Sequence, residues 1–371
     1  NYRLTDFTID WGDGTTGHFN QHYGNTPVYE SHRYDYSQLD PATEFEFRGI
    51  RYRQAVATLD AGSSGIYQLE WIATTGAQRQ SPSITIMEFD INAPSGELLG
   101  VNHDTYEWYK PMLEKARLYA PKVKYLNSFF AYTERLKVAD ITTGPDLIRT
   151  NQMFLNSRID YLPDFETSGV QSCFSMFQGV RNIKVFPSGK YNFNNVYRDI
   201  SNYGRVGGFA SMFYSTNFEE IHIDIPQGGP DAGNQRTNQM FRDCYKLKKI
   251  TGNWDTSKVQ DMYYTFSECR NLVSTPEIDF SSMTEGRYCF YRCGKIQNLP
   301  RIINLPYAVH TERMFSGSNL NGSIYIEDIG SSGNQNGYIH STFAGSKIKK
   351  VEFSEKPLYT SHNYGSQSMF S

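Results

Sequence analysis

Cysteine is scarce in this chain, with five among 371 residues, and the odd count excludes complete internal pairing. No run of 18 apolar residues exists and mean hydropathy is −0.56, so no helical membrane span is expected. Net charge is only −3 with a pI near 6.3, which argues against nucleic acid as the main partner. The local clusters Lys246, Lys248, Lys249 and Lys347, Lys349, Lys350 read as solvated strand flanks. There is no Gly-rich phosphate loop, no His-Glu-x-x-His and no nucleophile elbow. Carboxylates are plentiful, but a glycosidase needs two of them in a cleft that raises the pKa of one, and nothing here promises such a cleft. A non-catalytic protein with no cofactor is expected. No secretory leader is visible after Asn1.

What the chain has in quantity is aromatic residues, 15% of the total, with 24 Phe and 27 Tyr. The Phe residues keep a period. They stand at Phe130, Phe154, Phe177, Phe213, Phe241, Phe266, Phe290, Phe315, Phe343 and Phe370, with spacings of 24, 23, 36, 28, 25, 24, 25, 28 and 27. A period in this range marks a solenoid, in which one unit cannot bury its apolar face alone and stacked units share a core. Phe154, Phe177, Phe213, Phe241, Phe266, Phe290, Phe315 and Phe343 are therefore assigned to that core. Each Phe is followed by a Leu or Ile about six residues on, such as Leu247, Leu272 and Ile296. The residue three after each Phe is small: Thr133, Ser157, Val180, Thr216, Cys244, Cys269, Cys293, Ser318 or Ser346. This repeated contact point accounts for three of the five cysteines. They are expected to stack about 5 Å apart as buried free thiols, since their side chains point the same way.

The segment before each Phe, as in 237–241, suits a short helical turn, and the segment after the Leu or Ile alternates like a short strand. The expected fold is therefore mixed α/β, with one strand and one short helix per coil in a ten-coil stack. Met240-Phe241-x-x-Cys244-x-x-Leu247 followed by Trp254-Asp255-Thr256-Ser257-Lys258-Val259 resembles the BspA-type leucine-rich repeat of bacterial surface and phage structural proteins. The resemblance covers roughly residues 113–371 and is most specific between Phe241 and Phe290. Residues 188–208, inside the 36-residue gap, read as an inserted loop on the binding face. The last copy, at Phe370, leaves a coil face that a longer chain or another copy is expected to cover.

Residues 1–104 lack this period. Phe7-Thr8-Ile9-Asp10-Trp11-Gly12-Asp13-Gly14 alternates and then turns, and His32-Arg33-Tyr34 follows. This pattern resembles the PKD family of Ig-like β-sandwiches over about 50 residues. Residues 45–59, 66–73, 83–91 and 97–101 also read as strands. Asp10 and Asp13 are a weak Ca²⁺ candidate, set against a turn in which Asp13 bonds its own backbone. His18, His22 and His32 are read as surface loop residues, because Gly17 and Gly24 break any helical spacing. Between the two parts, Leu113, Ala116 and Ala120 recur at helical spacing, so a helix over 110–119 is expected to cap the stack. The expected division is thus 1–104 β-rich, 105–124 a helical cap, and 125–371 solenoid.

Tyr is not absorbed by the period. Tyr191, Tyr197, Tyr203, Tyr263, Tyr264, Tyr288 and Tyr291 fall near repeat edges or loops and are the candidate binding residues, against the alternative of half-buried ladder positions. With no other metal site expected, the combination resembles a virion surface or tail-fibre-like component. Its expected partners are other virion proteins and a host-surface protein or glycan, with a homo-oligomer or a longer chain covering the C-terminal coil. The alternatives are a secreted bacterial adhesin and an architectural spacer.

Overall fold

A computed structural model describes residues 6–20, 32–47, 49–60, 87–93, 112–196, 208–226, 235–329, 340–355 and 370. The strand readings over 66–73 and 97–101 lie outside these residues, as does His22. The front of the chain holds β1 (Asp6–Asp10) and β2 (Thr16–Asn20), joined as an antiparallel hairpin. Two single 3-10 turns follow, Tyr36–Gln38 and Pro41–Thr43. Next come the hairpin of β3 (Phe45–Phe47) and β4 (Ile50–Tyr52), then β5 (Thr58–Asp60), which pairs antiparallel with β1. The turn between β1 and β2 needs glycine at Gly12, whose φ is +74 and whose Cβ would come 2.3 Å from the Val56 carbonyl oxygen.

The rest of the described chain is a β-solenoid of about eight turns. Its strands lie side by side in parallel sheets. One sheet takes β6 (Glu88–Asn92), β7 (Lys115–Tyr119) and β8 (Val138–Thr142). A second takes β9 (Val185–Phe186), β10 (Glu220–His222) and β12 (Lys249–Thr251). β11 (Gln235–Arg236) pairs with β13 (Val259–Asp261). The last sheet is β14 (Ile302–Leu305), β15 (Asn321–Ile329) and β16 (Lys347–Phe353). The sheet of β6, β7 and β8 draws strands from both sides of residue 104. Its outer face is charge-paired along the register, with Lys115 on Glu88 at 2.8 Å and Arg117 between Asp90 and Asp140.

The expected mixed α/β fold is corrected here. The structure is 26% strand and 2% helix, and among the described residues no coil of the solenoid carries a helix. The reason lies in where the backbone N–H groups go. Around Phe266, every second N–H crosses to the next coil: Tyr264 to Arg287 O at 3.0 Å, Phe266 to Cys289 O at 2.9 Å and Glu268 to Tyr291 O at 2.8 Å. The N–H groups between them turn back three residues, Thr265 to Met262 O, Ser267 to Tyr264 O and Cys269 to Phe266 O. An α-helix would use all of these donors internally, four residues back. The alternation requires left-handed backbone two residues before and two after the Phe, as at Tyr264 (φ 56) and Glu268 (φ 65). The same pair of positions is left-handed around Phe130, Phe154, Phe177, Phe213, Phe241, Phe290, Phe315 and Phe343. Each non-glycine residue held there costs about 1–2 kcal/mol. Cross-coil hydrogen bonds and burial of the Phe offset that cost.

The helix expected over 110–119 is also corrected. Residues 115–119 form β7, with Ala116 and Leu118 inward between exposed neighbours. The spacing of Leu113, Ala116 and Ala120 fits a helix face. The inward set, however, is Ala116, Leu118 and Ala120, which has a strand's period of two.

The core runs the length of the stack. The ten periodic Phe rings form a single column, each parallel to the next within 10° and 4.9–5.9 Å apart. Phe154, Phe177, Phe213, Phe241, Phe266, Phe290, Phe315 and Phe343 are all buried. Beside them runs the column of small residues. The thiols of Cys244, Cys269 and Cys293 donate to the carbonyls of Phe213, Phe241 and Phe266, each one coil earlier, at 2.9–3.0 Å. All five cysteines are buried free thiols. Burial pushes the thiols of Cys173, Cys269, Cys289 and Cys293 well above the usual range.

Candidate ligand-binding ladder

From the Phe213 coil to the Phe315 coil, one side chain per coil is at least part-exposed beside the Phe, from the residue after it in the first two coils and from the left-handed residue two before it in the last three. Between the Phe213 and Phe315 coils they are Tyr214, Arg242, Tyr264, Tyr288 and Arg313, and they form a continuous stack. The Arg242 guanidinium lies 4.4 Å over the Tyr264 ring and 5.7 Å from that of Tyr214. Tyr264 and Tyr288 stack at 4.6 Å and 4°. Arg313 closes the run 5.9 Å over Tyr288. Two flanking groups brace it. Tyr263 meets Tyr264 edge-on at 4.3 Å and carries Arg287 at 5.1 Å over its own ring. Tyr291 meets Tyr288 edge-on at 5.4 Å and carries Arg292 at 4.9 Å.

Carboxylates hold most of the guanidinium groups. Glu285 grips Arg287 through Nε at 2.9 Å and Nη2 at 2.5 Å, which raises the arginine's pKa. Glu268 binds Arg270 at 2.7 Å and Arg292 at 3.0 Å. Asp243 lies 3.7 Å from Arg242. Burial, reinforced by the neighbouring Tyr263 and Tyr288, pushes the Tyr264 phenol up to about 12, so this phenol stays protonated through the physiological range. At its far edge Glu312 is buried, with Oε2 lacking a hydrogen-bond partner, and burial raises its carboxyl pKa.

Of the candidate binding residues, Tyr263, Tyr264, Tyr288 and Tyr291 come together in this ladder. Tyr191 does not join them. Its hydroxyl donates to the Pro163 carbonyl at 2.7 Å, its ring packs on Phe165 and Phe177, and burial drives its pKa far up. Tyr197 and Tyr203 lie outside the described residues. The reading of 188–208 as an inserted loop is corrected over 188–196. That stretch is laid on the preceding coil, with Lys190 on Asp164 at 2.5 Å, Asn195 on the Ser168 carbonyl, and Phe193 and Val196 buried. Tyr214, Arg242, Arg287 and Arg313 escaped the sequence reading, although their distance from the nearest Phe marks them.

The front module holds the other candidate. Asp10 Oδ1 accepts from the Gly12 N–H at 2.9 Å. Asp13 Oδ1 accepts from the Thr15 N–H and hydroxyl, and its Oδ2 pairs with His32 Nε2 at 2.7 Å. The hydrogen bonds from Thr15 and His32 lower the Asp13 pKa to about 2. Trp11 stacks on His32 at 4.7 Å, and Tyr34 donates to the Trp11 carbonyl. One oxygen each of Asp10 and Asp13 is thus engaged by their own turn, and the second Asp13 oxygen by His32. His18 sits in β2. Among the described residues no group of three or more His, Cys, Asp or Glu is placed to hold a metal ion, and no helix is long and apolar enough to cross a membrane.

No curated protein and no solved structure matches the chain. Residues 211–326 match a family model described as a Mycoplasma protein of unknown function, DUF285. That stretch is similar to the family over less than half of the chain, and it contains the whole ladder from Tyr214 to Arg313.

Proposed function

We propose that this chain is a non-catalytic attachment protein whose solenoid is a rigid rod presenting the tyrosine–arginine ladder. The observation that carries this is the ladder itself. Five coils supply outward aromatic and cationic groups in one unbroken stack, each locked by a neighbour before any ligand arrives. Preorganised Tyr and Arg side chains bind with little further loss of rotamer entropy. The interior, by contrast, is filled by Phe rings along its length.

The location we propose is the surface of a phage particle. Five buried, unpaired thiols fit a chain folded and assembled in a reducing compartment. A bacterial cell-surface adhesin, the alternative, has the same ladder but folds after export. Immunogold labelling of particles and of cells from a producing culture separates the two. Label on particles is the expected result, and label confined to cell envelopes overturns the virion location.

A further inference from the structure

The charges of the ladder select its ligand, and this inference rests on the attachment reading above. We infer that the ladder binds an acidic polysaccharide laid along the solenoid axis, its anionic groups taken up by arginines that consecutive coils supply.

Four consecutive coils each bring an exposed or half-exposed arginine to this face: Arg242, Arg270, Arg292 and Arg313. Their coils are 4.9–5.6 Å apart along the Phe column, so the cations recur with the stack. Each guanidinium lies over a tyrosine ring, Arg242 on Tyr264, Arg270 on Tyr245, Arg292 on Tyr291 and Arg313 on Tyr288, at 4.4–5.9 Å. A stacked guanidinium keeps its N–H donors at its edge and loses little freedom when it takes a carboxylate or sulfate.

The carboxylates present do not neutralise these arginines. Glu268 is shared between Arg270 and Arg292, Asp243 stands 3.7 Å from Arg242, and Arg313 has no carboxylate partner among the described residues. Glu285 and Arg287 cancel one another, as do the register partners Arg236 and Asp261. Glu312 is buried at the edge, and even when it is ionised four arginines face three carboxylates. The excess is positive on a chain whose net charge is −3, so an anion is steered to this strip. The cations are strung along the axis, one to a coil, which suits a linear polymer with charge on its repeats. Single-stranded nucleic acid also needs platforms for its bases. The central rings offer none, because Tyr264 lies between Arg242 and Tyr288, and Tyr288 between Tyr264 and Arg313.

The test is biolayer interferometry of the full chain on immobilised polygalacturonate, hyaluronan, dextran sulfate, neutral dextran and an oligo-dT strand. Binding to at least one of the three acidic polysaccharides is expected, weakening as salt rises from about 0.1 to 0.5 M, with none to dextran and less to oligo-dT. Arg313→Gln breaks no ion pair among the described residues and should weaken binding about tenfold. Arg292→Gln/Arg313→Gln should weaken it further, with folding checked by circular dichroism. Lys349→Gln removes an exposed charge outside the strip and should change nothing. No binding to any acidic polysaccharide, equal binding to dextran, tighter binding to oligo-dT, full binding by Arg313→Gln, or an equal loss in Lys349→Gln would each overturn the inference. Binding of labelled chain to bacterial cells that is undiminished in the double variant would also overturn it, yet leave attachment standing. Acidic polysaccharide binding without any cell binding would do the reverse.

Discussion

The thiol of Cys269 donates a hydrogen bond to the carbonyl of Phe241, 2.9 Å away and one coil earlier. The same contact is made by Cys293 to Phe266 and by Cys244 to Phe213, so these cysteines are built into the stacking contact between coils. Burial keeps Cys269 and Cys293 protonated. A thiol reagent at pH 8 should therefore find none of the five cysteines in the native protein and all five after denaturation. Labelling of the native chain, followed by mass spectrometry, checks this. Cys269→Ser preserves a donor at a position where Ser and Thr stand in other coils, and should cost within about 1 kcal/mol.

Phe266 is stacked between Phe241 and Phe290 at 5.5 and 4.9 Å, and Trp254 packs on the same ring at 6.1 Å. Phe266→Ala removes the middle of this run and should cost about 3–5 kcal/mol. Because each coil is the template for the next, hydrogen exchange should quicken in the Phe241 and Phe290 coils together. Protection that is lost in the mutated coil alone would mean the coils are stabilised separately.

The left-handed positions give a prediction that contacts alone would not suggest. Ser215 has φ 57, and its N–H crosses to the Arg242 carbonyl at 2.8 Å. Gly at this position relieves the strain, as Gly179 and Gly317 do in equivalent coils, whereas a β-branched residue aggravates it. Ser215→Gly should lie within about 1 kcal/mol of wild type in chemical denaturation, on either side. Ser215→Val should lose about 2 kcal/mol. Equal midpoints for the two variants would count against backbone strain as the cause.

Two carboxyl groups set opposite pH dependences. Asp13 has its pKa lowered to about 2 by Thr15 and His32, so its contribution is complete above the unfolded value near 4 and is lost as pH falls through about 2. The front module should thus loosen in acid, and Asp13→Asn should flatten that response. Glu312 is the reverse case. Its pKa is raised by burial, so its charge is a burden at neutral pH that disappears as pH falls through the folded value. Glu312→Gln should stabilise the solenoid at pH 7 by about 1 kcal/mol and show no gain in acid. Thermal unfolding from about pH 1.5 to 8 measures both.

Much of this architecture is legible in one line of residues. The spacing of the Phe residues and the small side chain three positions later reflect a rule that stacking imposes on every coil, so they recur in the sequence. The local conformation is harder to read. In the Phe266 coil Met262, Thr265, Phe266 and Cys269 are buried at the spacing of one face of an α-helix, with only Ser267 buried off that face between them. A chain that buries these positions could form a helix with internal hydrogen bonds or a turn that shares its donors with the next coil. Pattern alone does not separate the two.

The sequence by itself determined the repeat, its core residues and the lack of an apolar run of 18 residues, because each depends on composition or on spacing along the chain. Only the tertiary structure decided that the coils are turns and strands. The deciding hydrogen bonds run between residues more than twenty positions apart, as from Phe266 to Cys289. It also decided where the tyrosines lie. Tyr191 and Tyr288 look alike in the sequence. One is tied to a carbonyl in the preceding coil, while the other stands in a row that exists only once the coils are stacked.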